Sequence, residues 1–234
     1  MILDALPGFG GSPADYDLLH AALPDTFRLH GHELLAPSPA RLEGRILLGY
    51  SMGARVALEW ALGAASPPLA LVLVGATAGI EDPAARATRL RADDDLKEEI
   101  RRIGSAAFAR RWRTQPIIAT QDVMPEPYRG EMWARREAVP EDALVAQLTR
   151  LGQGAWAPRW DALPGLKMPV LVVVGEGDTR YLHIGRRLAA QLPRGELALI
   201  AGAGHSPHLE APKAFAATLT RWLRLWLDPL ILEV

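Results

Sequence analysis

The stretch Arg45-Ile46-Leu47-Leu48-Gly49-Tyr50-Ser51-Met52-Gly53-Ala54-Arg55 decides the fold of this chain. Arg45–Gly49 is a short, nearly continuous apolar run, the pattern of a strand buried on both faces, and Met52–Gly63 has the spacing of an amphipathic helix. Between them, Gly49-Tyr50-Ser51-Met52-Gly53 is a G-x-S-x-G sequence at a strand-to-helix turn, the arrangement of a nucleophile elbow. Such a turn holds its serine in a strained conformation, and side chains at the flanking positions would collide with neighbouring backbone. The hydroxyl then stands above the strand ends, beside the first N–H of the helix. Ser51 is therefore the candidate reactive residue. The strand–turn–helix context argues against a glycine-rich turn with an incidental serine.

The rest of the chain repeats the alternation. Apolar runs bounded by Gly or Pro occur at Met1–Leu6, Phe27–Leu29, Leu69–Val74, Val170–Val174 and Leu197–Ile200, with amphipathic stretches at Asp15–Ala22, Gly185–Leu192 and Lys213–Leu227. Strands alternating with helices predict an α/β fold with a mostly parallel sheet of about six strands and helices on both faces. Ligands of such sheets bind outside the carboxyl ends of the strands. Here those ends are Gly8–Ser12, Ser51, Gly75–Ile80, Asp178 and His205. The alternation breaks at residues 80–166, where Leu96, Ile100, Ile103, Ala107, Phe108 and Trp112 recur at helical spacing and helices are expected at Arg129–Glu137 and Glu141–Leu151. This region reads as a helical cap inserted into a core made of 1–79 and 167–234. The apolar stretch Pro229–Val234 has no assignment.

A serine needs an imidazole to activate it and a carboxylate to orient that imidazole. In elbow-bearing sheets the acid and then the histidine follow the serine in the chain. Gly175-Glu176-Gly177-Asp178 follows one strand and Gly202-Ala203-Gly204-His205 follows the next, in that order. Asp178 is the orienting acid and His205 the base; Glu176 and His208 are their competitors. A pair of backbone N–H donors should stabilise developing negative charge. Met52 offers one, and Phe9, in the loop Pro7-Gly8-Phe9-Gly10-Gly11-Ser12, the other. That loop lacks the G-x-G-x-x-G spacing of a phosphate cradle.

Composition narrows the partners. The 234 residues are 49% hydrophobic and 23% charged, an ordinary globular balance, with a formal net charge of −1 that recruits neither nucleic acid nor an anionic membrane. The absence of cysteine excludes disulfides, thiolate metal sites and a cysteine nucleophile. Met1–Gly11 has no basic segment ahead of its apolar residues, and no apolar run reaches the roughly 18 residues of a spanning helix. The expectation is a soluble, cytoplasmic chain acting on a small molecule as a monomer or homodimer. Only Lys97, Lys167 and Lys213 are lysines against 23 arginines. Base composition explains such a bias; guanidiniums that grip carboxylates bidentately explain it too.

These residues together resemble the α/β-hydrolase superfamily, and within it the 2-succinyl-6-hydroxy-2,4-cyclohexadiene-1-carboxylate synthases of menaquinone biosynthesis. The resemblance runs from Leu6 to Leu223. It rests on the elbow Gly49–Arg55, the loop Gly75–Ile80 with Ala84-Ala85-Arg86, and Phe108 with Trp112-x-x-Gln115-Pro116. Arg136 ahead of Ala143-Leu144, Gly152-x-Gly154, Gly175-Glu176-x-Asp178 and Gly204-His205-x-x-His208-Leu209-Glu210-x-Pro212 complete it. The cap segment Trp112-x-x-Gln115-Pro116 is the more specific part. Departures from the family pattern are Pro7 where a histidine is usual, Ala54 for a glycine, and Trp156-Ala157-Pro158-Arg159-Trp160 where a Gln-Pro is expected.

The resemblance implies elimination of pyruvate from a substrate with several carboxylates, with no metal or organic cofactor. Ser51, His205 and Asp178 would remove the proton that starts it. Arg55, Arg86 and Arg136 would hold carboxylates, with Arg135 a neighbour able to serve for Arg136, and Tyr50 and Trp112 would line the pocket. Two other readings stand beside this one. One is a carboxylesterase or related serine hydrolase acting through an acyl-enzyme on a small ester; the other is a non-catalytic binder. The intact trio Ser51, Asp178 and His205 argues against a binder. Several cap arginines converging above Ser51 would favour the lyase, and an apolar pocket with Arg86 and Arg136 facing solvent the esterase.

Overall fold

Residues such as Val72 and Val172 lie in runs that are apolar at every position because both faces of their strands are covered. In the computed structural model, which describes residues 1–39 and 41–227, these runs are β1 (Ile2–Leu6), β2 (Arg28–Gly31), β3 (Arg45–Tyr50), β4 (Ala70–Val74), β5 (Val170–Gly175) and β6 (Gly195–Ile200). They form one sheet in the order β2-β1-β3-β4-β5-β6, and every neighbouring pair is parallel. The winding direction reverses between β1 and β3, the place where open parallel sheets leave a crevice for a ligand. Leu6 pairs with Gly49 there, so the loop after β1 and the turn after β3 emerge side by side.

Successive side chains of one strand enter opposite cores. Leu47, Leu71 and Val172 pack with Ala57 and Leu188 of helices α2 (Met52–Gly63) and α8 (Thr179–Gln191). Leu48, Val72 and Val173 face Leu19 of α1 (Asp17–Ala22) and Phe215, Leu219 and Leu223 of α10 (Pro212–Trp226). Five helices separate β4 from β5: α3 (Pro83–Ile103), α4 (Ser105–Arg113), α5 (Pro116–Ala119), α6 (Tyr128–Glu137) and α7 (Glu141–Leu151). Helix α3 packs on α7 and α4 on α6, and α7 reaches α2 of the core. The short α9 (Pro207–Glu210) follows the loop after β6.

The elements depart from the sequence expectations where polar residues carry the structure. The periodic stripe Leu96–Trp112 spans two helices, because Gly104 takes φ +77°, a conformation costly for other residues. Ile100 and Phe108 on either side of the break still share one core. Helix α8 begins six residues before its apolar periodicity does, since Asp178 caps it by accepting the Tyr181 N–H at 3.1 Å. A 3-10 turn, Pro13–Tyr16, precedes α1. Strands β2 and β6 start one and two residues away from the apolar runs, as half-exposed edge strands do. The unassigned stretch Pro229–Val234 lies outside the described residues. Among the described residues no helix is long and apolar enough to cross a membrane.

Candidate active site

The turn after β3 has the strain that its glycines anticipate. Ser51 has φ 53° and ψ −106° and is the one non-glycine residue with positive φ among the described residues. Such a conformation costs about 1–3 kcal/mol and persists only where the surroundings hold it. Here the Ser51 N–H donates to the Val74 carbonyl (2.8 Å) and α2 begins at the next residue. A side chain on Gly49 would overlap the Gly53 carbonyl, and one on Gly53 would overlap the Leu6 and Pro7 carbonyls. The elbow fits against the end of β1 only with glycine at both places.

Ser51 meets both expected partners. His205 Nε2 lies 3.2 Å from Ser51 Oγ, and His205 Nδ1 lies 2.6 Å from Asp178 Oδ2. With Nδ1–H donating to the carboxylate, Nε2 is left to accept the serine proton. The second Asp178 oxygen accepts the Tyr181 N–H, so the buried carboxylate is held at both ends. Gly75, at φ +53° after β4, leaves room for the imidazole: a Cβ there would stand 2.8 Å from His205 Cε1.

The competitors lie elsewhere. Glu176 is exposed and accepts the Gly202 N–H at 3.4 Å. His208 is fully buried, and neither ring nitrogen has a partner among the described residues. Its ring packs on Tyr16 and Tyr50, with centroids 5.0 and 4.6 Å away. Burial, with Arg136 and His205 nearby, pushes its pKa down to about 3, so it is neutral.

The loop after β1 is braced by its own Gly11 N–H on the Gly8 carbonyl (3.0 Å) and by the Gly10 N–H on Gln147 Oε1 of α7 (2.9 Å). Among the described residues neither the Phe9 nor the Met52 N–H is spent on a backbone carbonyl. Trp112 stacks on Phe108 (5.6 Å) and meets Phe9 edge to face (5.7 Å), which sets α4 over this loop. A cavity of about 20 Å³ remains between Phe9, Gly10, Trp112, Trp133 and Arg136, room for a single water.

Tyr50 and Arg136 lie in one buried polar chain. The Tyr50 hydroxyl is 2.6 Å from Ser206 Oγ, which accepts from Gln121 Nε2 (2.7 Å). Arg136 donates from Nη1 to Gln121 Oε1 (2.7 Å) and from Nη2 to Asp15 Oδ2 (3.0 Å). Burial raises the Tyr50 phenol well above its ordinary value, only partly offset by Ser206, so it acts as a neutral hydroxyl. Arg135, the alternative to Arg136, is more exposed and stands 3.8 Å from Asp15.

Arg55 is buried against Trp156, with Nη2 donating to the Leu151 carbonyl. Burial lowers its pKa to about 10, Tyr181 opposing and Arg89 adding to the effect, and it remains charged. Arg86 is half-exposed and turns back to donate to the Ile80 carbonyl (3.3 Å). The α3 arginine that joins the interior network is Arg89, bound to Asp93 (2.8 Å) and reaching Gln153 (3.5 Å).

Sequence reasoning missed Asp15, Arg89, Gln121, Gln147, Gln153, Tyr181 and Ser206. Arg89 alone had a signal, being one helical turn beyond Arg86 on the same helix; single amides and hydroxyls inside amphipathic stretches carry none.

Residues 5–218 match the model of the alpha/beta hydrolase family. A 2-succinyl-6-hydroxy-2,4-cyclohexadiene-1-carboxylate synthase of Serratia proteamaculans (strain 568) is 32% identical, over 93% of this chain and 80% of that protein. A Bacillus subtilis (strain 168) protein provisionally named for the same activity is 30% identical over 76% of this chain; the match spans 65% of that protein, just under two thirds. Among solved structures, MenH from S. aureus superposes with a TM-score of 0.89 at 23% identity, covering 97% of this chain and 95% of that one. A malate-bound esterase from Thermogutta terrifontis gives 0.74 at 21% identity, covering 97% and 91%. With a parallel sheet of this order, an elbow after β3 and a family match over nearly its whole length, the chain belongs to the alpha/beta hydrolase family.

Proposed function

We propose that this protein is a 2-succinyl-6-hydroxy-2,4-cyclohexadiene-1-carboxylate synthase, which eliminates pyruvate from a precursor carrying several carboxylates. The observation that carries this reading beyond the relatives' names is a pair of buried guanidiniums. Arg55 Nε and Arg136 Nε are both buried and lack a hydrogen-bond partner among the described residues. An unpaired buried donor is costly, the more so on a charged group, and a carboxylate is the ligand that satisfies it. Arg136 already pairs with Asp15 through Nη2, whereas Arg55 has no carboxylate partner among the described residues, so Arg55 is the stronger candidate of the two.

In this reading Ser51, His205 and Asp178 form the triad, and the helices at residues 80–166 cap the site. Ser51 removes the substrate proton and passes its own to His205 Nε2, while Asp178 supports the imidazolium that forms. The electron pair moves into the ring as the carbon–oxygen bond to the pyruvyl unit breaks. The proton held by His205 is returned to the departing enol, which becomes pyruvate. The Phe9 and Met52 N–H groups stabilise the enolate-like charge. Arg55 and Arg136 hold carboxylates, Arg86 at the first turn of α3 is their third partner, and Tyr50 and Trp112 shape the pocket. The enzyme would need no metal or organic cofactor and would act in the cytoplasm as a monomer or homodimer.

A carboxylesterase would use the same trio to form and hydrolyse an acyl-enzyme. Pyruvate release from the pyruvyl-bearing precursor, measured beside hydrolysis of a short-chain p-nitrophenyl ester with Ser51→Ala as the blank, separates the two. Fast Ser51-dependent pyruvate release with feeble ester hydrolysis is expected. Ester hydrolysis without pyruvate release would overturn the proposal and leave the esterase.

A further inference from the structure

Tyr181 touches the triad in two ways and the inserted helices in a third. Its backbone N–H donates to Asp178 Oδ1 at 3.1 Å. Its ring lies against the His205 imidazole, centroids 4.5 Å apart and planes inclined by 47°. Its hydroxyl accepts from Gln153 Nε2 at 3.3 Å. Any residue but proline supplies the first contact; the second needs an aromatic ring and the third its hydroxyl.

The physical need for the ring is orientational. The hydrogen bond to Asp178 fixes one nitrogen of His205 but leaves the imidazole able to pivot about that contact. The 3.2 Å approach of Nε2 to Ser51 depends on the pivot angle. Tyr181 stands closer to the imidazole than the other aromatic ring beside it, Tyr50, whose centroid is 5.4 Å away.

Tyr181 is itself anchored. Gln153 lies between two glycines that are seated on Asp93 of α3. The Gly154 N–H donates to Asp93 Oδ2 at 3.1 Å, and a Cβ on Gly152 would stand 2.7 Å from that same oxygen. Asp93 is 1% exposed, and its other oxygen accepts from Arg89 Nε at 2.8 Å. Arg89 also reaches Gln153 Oε1, at 3.5 Å. A continuous set of contacts therefore runs from the inserted helix α3 to the histidine.

We propose that Tyr181 is a positioning residue for His205, and that Gln153, seated on Asp93 and Arg89 of α3, holds Tyr181 in place. The inference rests on the triad reading but not on the identity of the substrate.

The test uses the whole chain with Tyr181→Leu, Tyr181→Phe, Gln153→Met and the double variant Tyr181→Phe/Gln153→Met. Two quantities independent of substrate are read: the rate at which a fluorophosphonate probe labels Ser51, and the downfield proton resonance of the His205–Asp178 hydrogen bond. Tyr181→Leu should slow labelling by about ten- to a hundredfold, the scale of a misplaced catalytic group, and shift or broaden the resonance. Tyr181→Phe and Gln153→Met should each slow it several-fold, and the double variant no further than either single one. Wild-type labelling with an unmoved resonance in Tyr181→Leu overturns the positioning role. Multiplying losses in the double variant overturn the link through Gln153, and these variants decide the matter if Tyr181→Leu does not fold. Labelling that persists in Ser51→Ala would instead sink the triad reading itself.

Discussion

Replacing His208 with phenylalanine should make the fold markedly more tolerant of acid. In the folded chain this imidazole is sealed among Tyr16, Tyr50 and Phe215, with no hydrogen-bond partner among the described residues and with Arg136 and His205 nearby. Its pKa falls to about 3 from the 6.5 of a free histidine, burial being the main cause. At pH 7 the folded imidazole binds no proton and the unfolded one only about a quarter of one, so protonation costs the fold no more than a few tenths of a kcal/mol. Between pH 6.5 and 3 the unfolded chain is protonated at this position and the folded one is not, so stability falls as pH falls. At pH 5 the loss is about 2 kcal/mol, because the unfolded group then lies 1.5 pH units past its midpoint and each unit is worth about 1.4 kcal/mol. That figure requires only that the folded value stay below 5.

The assay is urea unfolding of both proteins at pH 7 and pH 5. At pH 7 they should agree within about 1 kcal/mol, since phenylalanine fills an apolar site of similar shape. From pH 7 to pH 5 the wild type should lose about 2 kcal/mol more than the variant. Carboxylates that also respond to acid, Asp4 with its His32 and Arg45 partners among them, are common to both proteins and cancel in the difference. Parallel losses would refute the assignment of a buried, neutral, unpaired imidazole.

Further outcomes follow from the site. Ser51→Ala and His205→Ala should abolish turnover while circular dichroism and thermal unfolding stay close to wild type; turnover in either disproves the triad. Arg55→Ala should raise KM or lower kcat for carboxylate-bearing substrates alone, and equal losses on a neutral ester would mark a structural role. Gly53→Ala, whose methyl would overlap the Leu6 and Pro7 carbonyls, should cost about 1–3 kcal/mol in urea unfolding, whereas an unchanged midpoint would mean that the elbow has slack. Asp15→Asn leaves the buried Arg136 without its carboxylate and should cost about 3 kcal/mol, while a neutral result would show Arg136 to be hydrated in the folded state.

What the sequence alone determined is local. The glycines around Ser51 are legible because a strained turn between a buried strand and a helix excludes side chains within a few residues of itself. Asp178 and His205 are legible because each follows its own strand directly, and parallel strands place all their carboxyl ends on one edge of the sheet. The break at Gly104 went unread, although it too is local and acts through the glycine's own φ.

Tertiary structure alone decided which amides and charges surround that trio. Gly10 and Gln147 are 137 residues apart, Arg136 and Asp15 121, and Tyr50 and Ser206 156. A lone glutamine in a helix has the same neighbours in sequence whether it braces a loop or faces water. Whether Arg86 or Arg89 reaches the buried Asp93 and Gln153 likewise depends on how α3 rolls against α7 and the loop at Gly152–Gly154. Buried polar groups are satisfied by whatever the packed helices bring within about 3 Å, and that distance is set by the core between them, not by the chain on either side.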